Sequence, residues 1–111
     1  MKDDRVYLLH VRDAIDAIVA YTAAGRDAFM ADRKTQDAVI RNLEIIGEAV
    51  KRLSPSLTRA YPDVPWRQIA GMRDKLTHDY FGVDLDLVWG VVERDLVTVR
   101  KRIDALLAQH G

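Results

Sequence analysis

Residues 35–54, TQDAVIRNLEIIGEAVKRLS, carry the most regular amphipathic pattern in the chain. Their apolar residues recur at alternating spacings of four and three positions, which is the period of one buried helix face. The residues that follow this spacing are Val39, Leu43, Ile46, Val50 and Leu53. Because the pattern continues for about two and a half heptads, it favours a long helix packed along another helix.

Three further segments predict helices before and after this one. Residues 4–22 have one apolar stripe, and Gly25 offers a natural stop after it. The stripe consists of Leu8, Val11, Ile15 and Ile18. The last helix is predicted to begin after a cap at Asp84 or Asp86 and to run to the C-terminus. Its stripe consists of Leu85, Val88, Val92, Leu96, Val99, Ile103 and Leu106.

Proline residues delimit the remaining helix. Ser54 followed by Pro55, and then YPDVPW at 61–66, are typical of an irregular connection. Pro65 is suited to the first turn of a helix that has Asp63 or Val64 just before it. The expected core side of that helix is Trp66, Ile69, Ala70 and Leu76. Four main helices with short connections predict an all-α, antiparallel, four-helix up-and-down bundle with one or more short extra helices.

Composition limits the classes of protein that the chain can belong to. Its 111 residues predict a single domain, 1–111, and no window approaches the roughly 18 apolar residues of a membrane span. The charged N-terminus lacks the apolar core of a secretory signal, and the chain has no cysteine. We therefore expect a cytoplasmic protein that makes no membrane contact.

Nucleic-acid binding, if it occurs, must be local, because 17 basic residues balance 17 acidic ones. Short basic runs could form local patches or could simply be solvated helix faces. These runs are Arg33 with Lys34, Lys51 with Arg52, and Arg100 with Lys101 and Arg102.

The stretch GMRDKLTHDYFG, residues 71–82, concentrates charged and titratable side chains on the third helix. Arg73 and Tyr80 return to within roughly 20° of one face, Asp74 and His78 are neighbours, and Arg73 and His78 are about 140° apart. Arginine binds phosphate bidentately, and imidazole exchanges protons near neutral pH. Together they suit metal-free attack of a ribose 2′-hydroxyl on phosphorus, which leaves a 2′,3′-cyclic phosphate and a 5′-hydroxyl. Ordinary surface ion pairs are the alternative.

The pattern R-x-x-x-x-H-x-Y at Arg73, His78 and Tyr80 resembles the signature of HEPN ribonucleases. NLEIIGEAVKRLS at 42–54, PWRQIAGMRDKLTHDYFGVD at 65–84, and the VW and DL pairs of the last helix are similar to the HepT-like branch. The resemblance implies a HEPN-like homodimer, without metal or cofactor, in which Arg73 and His78 of two protomers form a composite endoribonuclease site.

The resemblance also implies a partner and a means of control. HepT-like proteins are toxins of type VII-like toxin–antitoxin systems, and their antitoxins are minimal nucleotidyltransferases of the MNT type. The tyrosine of the motif accepts AMP from the antitoxin, so Tyr80 would be the modified residue. The RNA substrate would be tRNA or mRNA, and no base-reading module in the chain distinguishes the two.

One residue departs from the commonest family pattern. Asparagine is frequent after the motif arginine, whereas this chain has Asp74, which we expect to support and tune His78. Lys75 and Thr77 are candidate RNA contacts. The alternative function is a non-catalytic HEPN subunit that docks a nucleotidyltransferase or binds a nucleotide, and the carboxylate of Asp74 is its best argument.

Other candidates have simpler explanations. His10 and His110 are expected to be surface or core residues, and Trp66 and Trp89 to be core residues instead of base-stacking ones. Tyr61, Arg59 and Arg67 could flank a groove or lie on a loop surface. The pair His78–Asp79 is too isolated from other histidines for a metal phosphohydrolase.

Overall fold

The chain forms a bundle of helices in a computed structural model that describes residues 2–78 and 83–110, with side chains described for 4–72 and 83–109. The helices are α1 (Lys2–Tyr21), α2 (Arg26–Ala31), α3 (Arg33–Lys51), α4 (Pro55–Ala60), α5 (Trp66–His78), α6 (Leu85–Gly90) and α7 (Leu96–His110). A π-helical turn, Val91–Asp95, joins α6 to α7. The described residues contain no β-strand, which confirms the all-α prediction.

Four long helical units build the bundle, and α3 lies at its centre. Helix α3 packs against α1 on one side and α5 on the other, while α1 also packs against α7. The predicted stripes of α1 and α3 are fully buried, and so is the stripe of the last helix from Val88 onward. Leu85 is only partly buried at the edge of this core. The periodicity therefore predicted these core faces correctly. On α5, Trp66 is buried as expected, Ile69 and Ala70 are only partly buried, and the side chain of Leu76 lies outside the described residues.

The short helices α2 and α4 accompany the four predicted helices, which confirms the prediction of one or more short extra helices. Gly25 has φ 95°, which favours glycine, and it redirects the chain from α1 into α2. The expected irregular connection at Ser54 and Pro55 is instead the start of α4. Ser54 accepts a hydrogen bond from the Leu57 amide at 3.2 Å, and Pro55 occupies the first turn. A serine cap followed directly by proline starts a helix here, so the turn prediction was wrong at this point.

The π-helical turn keeps one long stripe on one face. Val88, Val92 and Leu96 are separated by two steps of four residues, which on an α-helix rotate a side chain by about 80°. A π-helical turn contains more residues and absorbs that drift. All three side chains are buried as a result. As predicted, a cap precedes this helix: Asp84 accepts from the Leu87 amide at 3.1 Å.

Across the described ranges, every helix is too short or too polar to span a membrane.

Candidate active site

Helix α5 carries the polar motif in its last two turns. The backbone of Arg73, Asp74, Lys75, Thr77 and His78 is helical, as expected. The side chains of these five residues, and Tyr80 as a whole, lie outside the described residues. The roles assigned to these residues from the sequence therefore stay predictions. The structure describes the contacts and grooves that surround α5.

The start of α5 is fixed by the connection that precedes it. Trp66 is buried, and its Nε1 donates to the Tyr61 carbonyl at 3.0 Å. The Val64 amide donates to the same carbonyl at 3.2 Å. Asp63 forms an ion pair with Arg102 of α7, whose Nε lies 2.7 Å from Asp63 Oδ2. These contacts hold the N-terminus of α5 against the bundle. They thereby fix the direction of the helix that carries the motif.

An apolar groove runs beside α5 toward the motif. Ile69 and Met72 line one wall, and Val91 and Leu96 line the other. Its volume is about 220 Å³, and Asp95 is its one acidic lining residue within the described ranges. The π-helical turn supplies two of the lining residues, Val91 and Asp95. Such turns occur frequently at functional sites, and this one lines the same groove as the helix that carries Arg73 and His78.

A second, basic groove lies at the other end of α5. The end of α3, α4 and the first turn of α5 enclose an open volume of about 660 Å³. Its charged and polar lining includes Lys51, Thr58, Arg59, Asp63, Arg67 and Gln68. The sequence suggested that Tyr61, Arg59 and Arg67 could flank a groove; the two arginines do line this one. Tyr61 is instead tied to α7, where its hydroxyl donates to Gln109.

The short basic runs are engaged mainly in ion pairs. Arg100 bonds to Asp16 at 2.8 Å and also to Asp104, and Arg102 binds Asp63. Arg33 lies 3.8 Å from Asp37, and Arg52 lies 3.3 Å from Glu48. Among these residues, the arginines are therefore partly neutralised by carboxylates and are poor phosphate ligands.

The remaining aromatic and histidine candidates have local contacts of their own, except His110, whose side chain lies outside the described residues. His10 is exposed on α1, edge-on to Tyr7 with ring centroids 6.0 Å apart. Trp89 packs against buried Phe29, with the two ring centroids 5.4 Å apart, and its Nε1 donates to Glu93. The prediction that the two tryptophans serve packing is thus confirmed for Trp66 and is consistent with the contacts of Trp89. In the part of the chain with described side chains, no three His, Asp or Glu residues are grouped as a metal ligand set.

Comparison with known proteins identifies relatives along nearly the whole chain. The model of the family "Ribonuclease HepT-like" matches residues 11–106. A probable ribonuclease HepT from Thermococcus cleftensis is 44% identical over 101 residues, which cover 90% of this chain and 92% of the relative. A putative RNase from Caldanaerobacter subterraneus subsp. tengcongensis is 36% identical over 111 residues, 99% of each chain.

One relative is longer. A Methanocaldococcus jannaschii protein described as gamma-glutamylcyclotransferase and putative RNase is 44% identical over 103 residues, so this chain spans about half of it, 46% of its length. No solved structure matches the chain. The family match includes the whole R-x-x-x-x-H-x-Y motif, and together with full-length relatives it shows that the chain belongs to the ribonuclease HepT-like family of the HEPN superfamily.

Proposed function

We propose that this protein is a metal-independent endoribonuclease and the toxin of a toxin–antitoxin pair, acting in the cytoplasm as a single-domain protein. The observation that carries the proposal is the family match over residues 11–106, which includes Arg73, His78 and Tyr80. Two of the relatives are described as a probable ribonuclease and a putative RNase, which supports the same reaction class. The helical backbone of α5 through His78 supports the spacing on which the chemistry depends.

In the proposed reaction, the His78 imidazole removes the proton of a ribose 2′-hydroxyl. The 2′-oxygen attacks the adjacent phosphorus, and the bond from phosphorus to the 5′-oxygen breaks. Arg73 stabilises the negative charge that develops on the phosphorane, and the leaving 5′-oxygen takes up a proton. The products are a 2′,3′-cyclic phosphate and a 5′-hydroxyl. Asp74, one turn before His78, orients the imidazole, while Lys75 and Thr77 contact the RNA.

The proposed active form is a homodimer. Arg73 and His78 are five residues apart, so on one helix they diverge by about 140°. Two copies of α5 that face each other bring an arginine from one protomer near a histidine from the other. The apolar groove along Ile69 and Met72 supports this arrangement, because it gives the same helix a surface that a second copy can cover.

Silencing is proposed to act at Tyr80, by a nucleotidyltransferase of the MNT type. The Tyr80 hydroxyl attacks the α-phosphate of ATP, a bond from tyrosine oxygen to phosphorus forms, and pyrophosphate leaves. Tyr80 and Arg73 are seven residues apart in the sequence, which on a helix is the same face. The phosphate of the added AMP would compete with RNA for Arg73, and the nucleoside would occupy the proposed active site between the two protomers. The substrate is tRNA or mRNA.

The test is cleavage of total RNA by purified protein in EDTA, beside Arg73→Ala and His78→Ala. Intact mass must first establish that the protein carries no AMP. We expect wild-type protein alone to cut and to leave 2′,3′-cyclic phosphate ends. Loss of cutting in EDTA that returns with a divalent cation would refute metal independence. If AMP-free wild-type protein does not cut at all, the non-catalytic docking subunit is the better description.

A further inference from the structure

The basic groove has an unbalanced charge. Among its described lining residues, Lys51, Arg59 and Arg67 are cationic and Asp63 is the sole acidic one. Asp63 is already paired with Arg102, which does not line the groove. The charge of Arg102, which lies outside the groove, therefore largely offsets the negative charge of Asp63. The groove has a locally positive potential although the whole chain is neutral.

Two of these cations are available to a ligand. Arg67 is exposed and forms no ion pair with any described residue. Arg59 is also exposed, and its Nε donates to the uncharged carbonyl of Pro55 at 3.2 Å. Among the described side chains, neither guanidinium has a carboxylate partner, unlike Arg52 and Arg100. A guanidinium of this kind binds phosphate oxygens well, because it is weakly hydrated and offers paired donors.

The location of the groove connects it to the motif helix. Arg67 is six residues before Arg73 and eleven before His78 on α5, which places it about 9 Å and about 16 Å from them along the helix axis. Pro65 and Gln68 line both this groove and the apolar groove that leads toward the motif. The two grooves therefore meet at the first turn of α5, and the basic groove lies on the same helix as the motif. The first turn of α5 also presents the positive end of the helix dipole to the basic groove.

We infer that the basic groove is a second phosphate-binding site, which holds the backbone of a single RNA strand a few nucleotides away from the bond that is cut. The identity of the ligand as RNA rests on the proposed ribonuclease function. The described lining of the groove offers cations but no free aromatic face, since the ring of Trp66 is buried. Single-strand sites that read bases or stack them use exposed aromatic rings. The site therefore binds phosphates without selecting a sequence.

The test compares the double variant Arg59→Gln/Arg67→Gln with Arg12→Gln/Lys101→Gln. The control removes the same charge from residues that do not line the groove. Binding is measured by fluorescence anisotropy with a labelled single-stranded DNA, which has phosphates but lacks the 2′-hydroxyl that cleavage requires. Cleavage kinetics on RNA are measured separately. Circular dichroism establishes that both variants are folded.

We expect the groove variant to bind the single strand about fivefold to tenfold more weakly at low salt. The slope of log affinity against log salt concentration should become less negative, by about 0.7 for each phosphate that the variant no longer neutralises. On a long RNA the KM should rise with little change in kcat, whereas a dinucleotide substrate, too short to reach the groove, should be unaffected. The control should match wild type in all four measurements.

Two results would overturn the inference: an unchanged slope in the groove variant, or an equal loss in the control. Because DNA binding does not require cleavage, the two proposals can fail separately. A wild-type protein that cuts no RNA, but whose single-strand binding depends on Arg59 and Arg67, would refute the ribonuclease and leave the phosphate site established.

Discussion

Asp4 and Ser54 are joined by two hydrogen bonds across 50 positions of sequence. The Ser54 amide donates to Asp4 Oδ1 at 2.8 Å, and Ser54 Oγ donates to Oδ2 at 2.6 Å. Asp4 is 5% exposed and is the one buried charged residue among the described side chains. Since Ser54 also caps α4, a single carboxylate connects the first turn of α1 to the start of α4.

We predict that Asp4→Ala lowers the free energy of unfolding by about 2–3 kcal/mol. It leaves the partly buried Ser54 amide without its acceptor and removes two bonds to a charged group. Asp4→Asn should cost about half as much, because one oxygen is retained. Urea denaturation measures both. Asp13→Ala is the control: its carboxylate is exposed and pairs with neighbouring Arg12, so it should change stability by less than about 0.5 kcal/mol.

A double-mutant cycle with Ser54→Ala separates the contact from other effects of Asp4. If the two side chains act through each other, the combined loss will be smaller than the sum of the single losses. Strictly additive losses would mean that the bond from Ser54 Oγ to Asp4 Oδ2 has no measurable role, and that Asp4 stabilises the bundle through the Ser54 amide, which Ser54→Ala retains, or by some other route.

We predict that the ion pair of Asp16 and Arg100 makes the free energy of unfolding depend on pH. The hydrogen bond from Arg100, outweighing partial burial, lowers the pKa of Asp16 from its ordinary value of 3.8. A lowered carboxyl pKa stabilises the fold above the unfolded-state pKa, and the contribution is lost as pH falls through the folded-state pKa. Asp16 is 53% exposed, so the contribution is reduced by solvent screening to about 0.5–1 kcal/mol.

The measurement is the difference in unfolding free energy between wild type and Asp16→Asn across pH. It should be constant from pH 7 down to about pH 5, shrink below about pH 4, and decrease in high salt. Asp13→Asn serves as the matched variant on the same helix. A difference between wild type and Asp16→Asn that persists unchanged at pH 2 would show that Asp16 acts by packing or local helix propensity instead of charge.

Helix periodicity accounts for most of what the sequence predicted. The stripes at Leu8, Val39 and Val99 belong to long segments whose spacing repeats several times, so a single misplaced residue does not change the result. Short helices lack such repetition. Helix α4 has six residues, and its signals, Ser54 and Pro55, are equally typical of a turn. Only the contact of Ser54 with distant Asp4 distinguishes the two, and the sequence alone does not reveal it.

The candidate site was predictable only where it depends on local helix periodicity. The helical position of Arg73 and His78 followed from local pattern, whereas the apolar groove depends on α3, α5 and the last helix meeting in space. The π-helical turn at Val91–Asp95 had a trace in the sequence, namely the two consecutive four-residue steps from Val88 to Leu96. The basic groove combines residues from three helices, and no local spacing predicts that combination.

Gly71 is predicted to be a site where alanine stabilises the chain. It is exposed in the interior of α5, and a Cβ built there meets nothing within 4 Å. Alanine should raise the unfolding free energy by about 0.5–1 kcal/mol through helix propensity. Gly25→Ala is the matched opposite case, since φ 95° strains any residue with a Cβ and should cost about 1–2 kcal/mol. Guanidinium denaturation of both variants tests the pair; a Gly71→Ala protein less stable than wild type would contradict the open helix face.

Arg73→Lys tests whether charge alone is sufficient at the proposed catalytic position. Lysine keeps the positive charge but loses the planar pair of donors, so we expect cleavage to slow by about tenfold to a hundredfold. His78→Ala should slow it by about 10²–10⁴-fold, because it removes the proposed base. Single-turnover cleavage of one defined RNA measures both, with Arg12→Gln as a charge-changing control. Equal rates for Arg73→Lys and wild type would reduce the role of Arg73 to electrostatic attraction.

Tyr80→Phe separates the proposed silencing from the proposed catalysis. Phenylalanine keeps the ring but lacks the hydroxyl that would accept AMP, so the variant should cut RNA at nearly the wild-type rate and should gain no mass with the nucleotidyltransferase and ATP. Wild-type protein treated in the same way should gain one AMP and lose activity, since the added phosphate repels RNA and occupies the Arg73 guanidinium. Tyr61→Phe is the control, because its hydroxyl bonds to Gln109 at the opposite end of α5 from the motif. If Tyr80→Phe is still silenced by the nucleotidyltransferase without a mass change, the antitoxin acts by covering the site, and the modification is not the means of control.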